Sequence, residues 1–94
     1  MNYSGTICKL NNPKGANFGR LVRVLLPVQP GETYGEGRVF SRDKDPTRTY
    51  YSFTPVDGQP LQGKRVSGEK FESMVLVTRD IHFDIIEEAG EELK

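Results

Sequence analysis

The chain has 94 residues, 35% of them hydrophobic and 28% charged, with 13 basic and 13 acidic side chains and no net charge. That is one domain with material for a single modest core, and little surface to spare for a large catalytic cleft. One cysteine excludes an internal disulfide framework, and no stretch approaches the length of a membrane span.

The charge is unevenly spread. Glu87, Glu88, Glu91 and Glu92 crowd the end against Lys94, while residues 1–86 carry 12 basic and 9 acidic side chains, a net +3. The excess is mild beside the strong basic bias of most nucleic-acid binders. The expected organisation is a single β-barrel domain over 1–87 and an acidic tail over 88–94. The tail reads as a solubilising end or as a mimic of phosphate charge. Met1–Ser4 shows no apolar signal core, so a cytoplasmic location is expected.

Residues 4–10, SGTICKL, read as a first short strand. Asn11-Asn12-Pro13-Lys14-Gly15 is a dense turn cluster. Asn17 and Gly19 then tolerate positive φ, which bends the chain and turns Phe18 inward. Residues 20–28, RLVRVLLPV, form the strongest strand signal. Val22, Val24 and Leu26 share one face and Leu21, Arg23 and Leu25 the other. Apolar residues on both faces suit a strand that bends between two layers.

Gln29–Gly37 reads as a loop punctuated by Pro30-Gly31 and Gly35-Glu36-Gly37. Gly37–Arg42 and Arg48–Val56 read as two arms of one hairpin, joined by the charged segment Asp43–Thr47. Asp57-Gly58 is a turn dipeptide, and Gln59–Val66 is a short strand or irregular. FESMVLVT, 71–78, is a further strand. Residues 79–83 suit one turn of 3-10 helix, 84–87 a last strand, and 87–94 a fraying end or a turn of helix. Short strands with turns every eight to twelve residues and almost no helix predict an all-β barrel or sandwich. The expected core is Ile7, Leu10, Phe18, Leu21, Val22, Val24, Phe53, Val75, Val77 and Ile85.

Two segments carry a resemblance. ICKL with GRLVRV (Ile7–Leu10, Gly19–Val24) and VLVTRDIHFDII (Val75–Ile86) resemble the SH3-like barrels, in particular their KOW-like members. There a glycine precedes a short basic-apolar strand, and the chain ends strand, 3-10 turn, strand. The two segments cover under a third of the chain. The resemblance implies a small SH3-like barrel of five or more short antiparallel strands with a 3-10 turn near the C-terminus. It also implies a nucleic-acid-binding role for basic residues around the first turn, here Lys14, Arg20 and Arg23. Neutral charge and a long aromatic hairpin depart from the KOW pattern. Similar short barrels occur as accessory proteins of phages and mobile elements, an analogy of fold and size.

The chemistry-bearing residues are few. Cys8 and His82 stand 74 positions apart with no flanking nucleophile signature, and they read as packing residues. Asp80, His82 and Asp84 alternate, but a turn there spoils a shared ligand face. Gly31, Gly35 and Gly37 lack the lysine and helix of a phosphate loop. No catalytic set, metal cluster or cofactor motif can be assembled, so a non-enzymatic binding module is expected, with no catalytic, metal or cofactor residues.

The aromatic run Tyr50, Tyr51, Phe53 alternates, which places Tyr50 on one face and Tyr51 and Phe53 on the other. One face is core. The other is open to three readings: cross-strand packing, a protein interface, or a base-stacking platform beside Arg38, Arg42 and Arg48. The expected protein-partner surface is therefore Arg38, Arg42, Arg48, Tyr50 and Tyr51. A homodimer through this tyrosine-rich arm is weighed against a monomer.

Overall fold

A computed structural model describes residues 2–65 and 67–87. The acidic segment 88–94, and any helical turn within it, lie outside the described residues. The described chain is all β apart from one 3-10 turn. The strands are β1 (Ile7–Leu10), β2 (Leu21–Pro27), β3 (Thr33–Gly35), β4 (Arg38–Val39), β5 (Tyr50–Pro55), β6 (Leu61–Lys64), β7 (Lys70–Ser73) and β8 (Leu76–Arg79). The 3-10 turn Asp80–His82 follows, and β9 (Phe83–Glu87) ends the series.

Five strands form one antiparallel sheet in the order β8-β5-β2-β1-β9, and β3-β4 and β6-β7 are separate two-stranded hairpins. The two edge strands of the sheet, β8 and β9, are consecutive in the chain. The 3-10 turn spans between them, and no ladder joins them among the described residues. Asp80 N–H donates to the Thr49 carbonyl beside β5, and Asn11 N–H donates to the His82 carbonyl beyond β1. The turn is thereby tied to both sides of the sheet. Among the described residues no helix is long and apolar enough to cross a membrane.

The two expected hairpin arms do not pair with each other. Residues 38–39 pair back onto β3, inside the segment read as loop, while β5 pairs with β2 and β8. The turn Glu36-Gly37 explains the first choice: φ of 52° and 73° are the left-handed values that a tight two-residue hairpin needs. The expected strand 71–78 is broken in two. The Ser73 hydroxyl takes the Val75 N–H at 3.1 Å, a local side-chain turn that diverts the chain from β6 to β5.

Sheet and hairpins close over one main core of Cys8, Leu10, Val22, Val24, Tyr51, Phe53, Leu61 and Phe83. Each large side chain buried there contributes roughly 1.5–3 kcal/mol. Three rings, Tyr51, Phe53 and Phe83, meet edge to face at 5.7–6.3 Å. A second cluster, Val28, Phe40 and Tyr50, lies apart from the first, with Tyr34 and Val77 packed against it. Ser52, buried within β5, bridges the Leu26 N–H and carbonyl at 3.2 Å each where the β2–β5 register slips. A buried hydroxyl is thus satisfied at a bulge.

Four of the ten expected core residues are buried: Leu10, Val22, Val24 and Phe53. Ile85 packs on the main core and Val77 on the second cluster. Phe18 and Leu21 depart outright, at 58% and 46% exposed. Leu21 falls on the outer face because Val22 and Val24 take the inner one. Phe18 takes no part in the core, whose large side chains include Leu61 and Phe83 from distant segments.

Candidate functional site: a basic aromatic cleft

The two small hairpins and the turn after β1 leave an open cleft of about 880 Å³ against the β8 edge of the sheet. Three sequence-distant segments wall it. Asn17 positions the first: its side-chain amide donates to the Gln62 carbonyl at 2.9 Å and accepts the Gln62 N–H at 2.8 Å. The side chain therefore acts as one residue of an extra strand beside β6. Asn17 serves through this amide, whereas Gly19 does take the left-handed turn, at φ 83°. Phe18 is left at the cleft rim.

The β6–β7 hairpin forms the second wall. Gly63 stands opposite Phe71, and a Cβ on Gly63 would lie 2.4 Å from Phe71 Cζ. Only a bare backbone leaves room for the tip of the ring over Gly63. Two guanidinium groups then rest on that ring. Arg38, from β4, stands 4.0 Å from its centroid, and Arg65 stands 5.2 Å away. Stacking of this kind fixes a cation at modest cost in side-chain freedom. Lys44 approaches the Phe40 ring at 6.0 Å.

Among the described residues the lining carries four cations, Arg38, Lys44, Lys64 and Arg65, against one carboxylate, Glu36, and Arg65 pairs with Glu69 at 3.2 Å. Its exposed or half-buried rings are Phe18, Tyr34 and Phe71. Burial pushes the Tyr34 hydroxyl above its ordinary range, with the nearby Arg38 charge opposing. Ser73 hydrogen-bonds Glu36, and the Glu36 carboxylate lies 3.9 Å from Arg38 Nε.

Of the five residues expected to meet a protein partner, only Arg38 lines this cleft. Tyr50 and Tyr51 are 5% and 4% exposed. Tyr50 packs edge to face on Phe40 at 4.8 Å and donates its hydroxyl to the Asp45 carbonyl at 3.0 Å. Tyr51 packs on Tyr3 and Phe83 in the main core. The second face of the aromatic run is covered by Val28, Phe40, Tyr34 and Val77, so no tyrosine platform is presented. Tyr51 and Phe53, the residues of the arm weighed as a contact between two copies, lie buried on β5, an interior strand of the sheet. Arg42 packs its stem over Gly31, and Arg48 pairs with Asp45 in the exposed loop at 3.4 Å.

Lys14, Arg20 and Arg23, the basic residues around the first turn, stand in different surroundings. Arg20 is committed to the turn at 57–60, donating to the Pro60 and Gln59 carbonyls and to Asp57. Arg23 stands on the outer face of β2, opposite Ile7 and Thr54. Lys14 is exposed in the first turn. Strand alternation separates Arg20 from Arg23.

Cys8 is fully buried within hydrogen-bonding distance of Thr6, and burial pushes its thiol above the ordinary range. His82 sits in the 3-10 turn at the floor of the cleft. Asp84 accepts the Asn11 side-chain amide at 2.8 Å. Among the described residues no three of His, Cys, Asp or Glu cluster as metal ligands.

Sequence reading missed Lys44, Lys64, Arg65 and Phe71. The signal was present in GKR–V–SGEKF, 63–71, where cations and an aromatic flank a Ser-Gly turn. No family model, curated protein or solved structure matches the chain.

Proposed function

We propose that this protein is a non-enzymatic binding module, and that the cleft clasps an extended acidic segment of a partner protein. One observation carries the reading: four cations, two of them held on the Phe71 ring, line a cleft whose single carboxylate among the described residues is Glu36. Fixed guanidinium planes and exposed rings are the residue types that dominate protein-binding hot spots. The positive lining selects an anionic occupant, and a cleft between two hairpins suits a chain lying along it. Zero net charge favours a protein over a polyanion, whose capture draws on a wide basic surface. The ending of strand, 3-10 turn and strand supports reading the scaffold as SH3-like.

A second reading rests on Phe18. An exposed ring at the rim of a basic cleft is also a platform for stacking single-stranded bases.

Fluorescence anisotropy separates the two. A dye-labelled hexaglutamate peptide is expected to bind, its glutamine analogue is not, and Arg38→Gln/Arg65→Gln abolishes the difference. Equal weak binding of both peptides defeats the proposal. Tighter binding of a labelled oligothymidylate, with a steep salt slope, favours the nucleic-acid reading instead.

A further inference from the structure

Glu36 breaks a local rule. It is the one non-glycine residue with positive φ among the described residues, at 52°, in a turn position where asparagine or glycine is the usual occupant. Such a cost persists where the surroundings hold the residue for a reason. Two contacts supply that reason. The buried Ser73 hydroxyl binds the Glu36 carboxylate and ties an otherwise exposed side chain to the hairpin β6–β7. The same oxygen stands 3.9 Å from Arg38 Nε. That nitrogen is buried with no hydrogen-bond partner, and its guanidinium carbon stands 4.0 Å from the Phe71 ring centroid. The cleft thus contains a preset cation with an unfilled donor, and one tethered carboxylate just beyond hydrogen-bond reach.

We infer that Glu36 is a tethered counter-ion of Arg38 that competes with the ligand's acidic group and so sets the cleft's selectivity. The inference rests on the acidic-peptide reading. While the cleft is empty, Glu36 partly neutralises Arg38, which spares an isolated cation. A ligand carboxylate must outcompete it. A weakly charged segment gains little from the exchange, whereas a segment presenting several acids engages Arg38 and Arg65 together. Glu36 acts through Arg38 and is a positioning residue; the hairpin geometry and Ser73 keep it from swinging clear.

The decisive variant is Glu36→Gln, which retains an acceptor for Ser73 but removes the charge. Its binding of labelled hexaglutamate at low salt is expected to be about 3–10-fold tighter than that of the unmodified protein. The gap should close as salt screens the charges. Pairing Glu36→Gln with Arg38→Gln should erase the gain, since the two residues act as a unit. A ligand-free readout accompanies this: the Arg38 Nε–H resonance should shift between the unmodified protein and Glu36→Gln, and shift again on adding hexaglutamate. Equal or weaker binding by Glu36→Gln, or an unmoved Arg38 Nε–H resonance in the ligand-free variant, overturns the role of Glu36 alone. Absence of hexaglutamate binding by both proteins at low salt overturns the peptide reading on which it rests.

Discussion

The side-chain amide of Asn17 pairs with the backbone of Gln62 through two hydrogen bonds of 2.9 Å and 2.8 Å, taking the place of a neighbouring strand at β6. The first turn is thereby welded to the β6–β7 hairpin, two segments 45 residues apart. Each amide bond contributes about 0.5–1.5 kcal/mol. Asn17→Ala should therefore lower stability by about 1–2 kcal/mol, read from the midpoint of urea unfolding. Asn17→Asp keeps the acceptor and loses the donor, so its midpoint should fall in between. An unshifted midpoint in Asn17→Ala would show the pair to be ornamental.

Gly63 and Phe71 make a second test, because one substitution disturbs both fold and cleft. An alanine Cβ would meet Phe71 Cζ at 2.4 Å, so the ring must leave the hairpin surface. Overpacking of this kind costs about 1–3 kcal/mol. Arg38 and Arg65 lose their shared platform when the ring moves. Gly63→Ala should remain folded, unfold at lower urea, and bind hexaglutamate more weakly. Wild-type stability together with wild-type binding would mean that the ring yields freely and does not organise the cations.

The alkaline limb of stability should report Cys8. Its thiol is raised chiefly by burial, with Asp84 adding to the effect and the Thr6 hydroxyl opposing it. An unfolded thiol titrates near about pH 8.5. Above that pH the unfolded chain releases a proton that the folded chain retains. Stability from this group is thus whole below about pH 8.5 and is lost as pH rises toward the folded value. Tyr34 adds a loss of the same sign nearer its own ordinary value of about 10. At the acid end, Asp45 is lowered by the Thr47 hydroxyl and amide, and Asp57 by the Gln59 amide and then Arg20. Their contributions are present above about pH 3.9 and fade as pH falls through the folded values. Urea midpoints at about pH 7 and about pH 9.5 should differ less in Cys8→Ala than in the unmodified chain. A thiol that reacts with Ellman's reagent without unfolding would contradict the buried placement.

Local chemistry made part of this fold legible. The alternation in β2 and the turn at Asp80–His82 with the strand after it are short-range signals, and the structure has them close to where the residues put them. Pairing was not legible, because it is decided across the chain. Nothing within YYSFTP says that it joins β2 on one side and β8 on the other. Without that, the second face of the aromatic run stays open, and Arg38, Arg42 and Arg48 look like its neighbours. The cleft was hidden for the same reason. Its walls come from residues 15–18, from Tyr34 to Lys44, and from Gln62–Arg65 with Phe71, and the Gly63–Phe71 contact exists only once the β6–β7 register is known. Arg38 is the single residue reached by both routes.

Phe18 and Phe83 reverse the roles that their local sequences suggest. Phe18, bracketed by turn formers, looks like an inward anchor, yet it is 58% exposed at the cleft rim. Phe83 directly follows the 3-10 turn, yet it is 4% exposed and touches the rings of Tyr3, Tyr51 and Phe53. Truncating a buried phenylalanine removes its transfer energy and leaves a cavity, a loss of about 3–5 kcal/mol. Phe83→Ala should therefore cost that much, enough to unfold a small domain of ordinary stability at moderate temperature. Phe18→Ala removes a ring that water already reaches, and its urea midpoint should stay within about 0.5 kcal/mol of the unmodified protein. Its effect belongs in binding. If the rim ring contacts ligand, hexaglutamate affinity falls modestly, and oligothymidylate affinity falls further if bases stack there. A large stability loss in Phe18→Ala, or a tolerated Phe83→Ala, would place the wrong ring in the core.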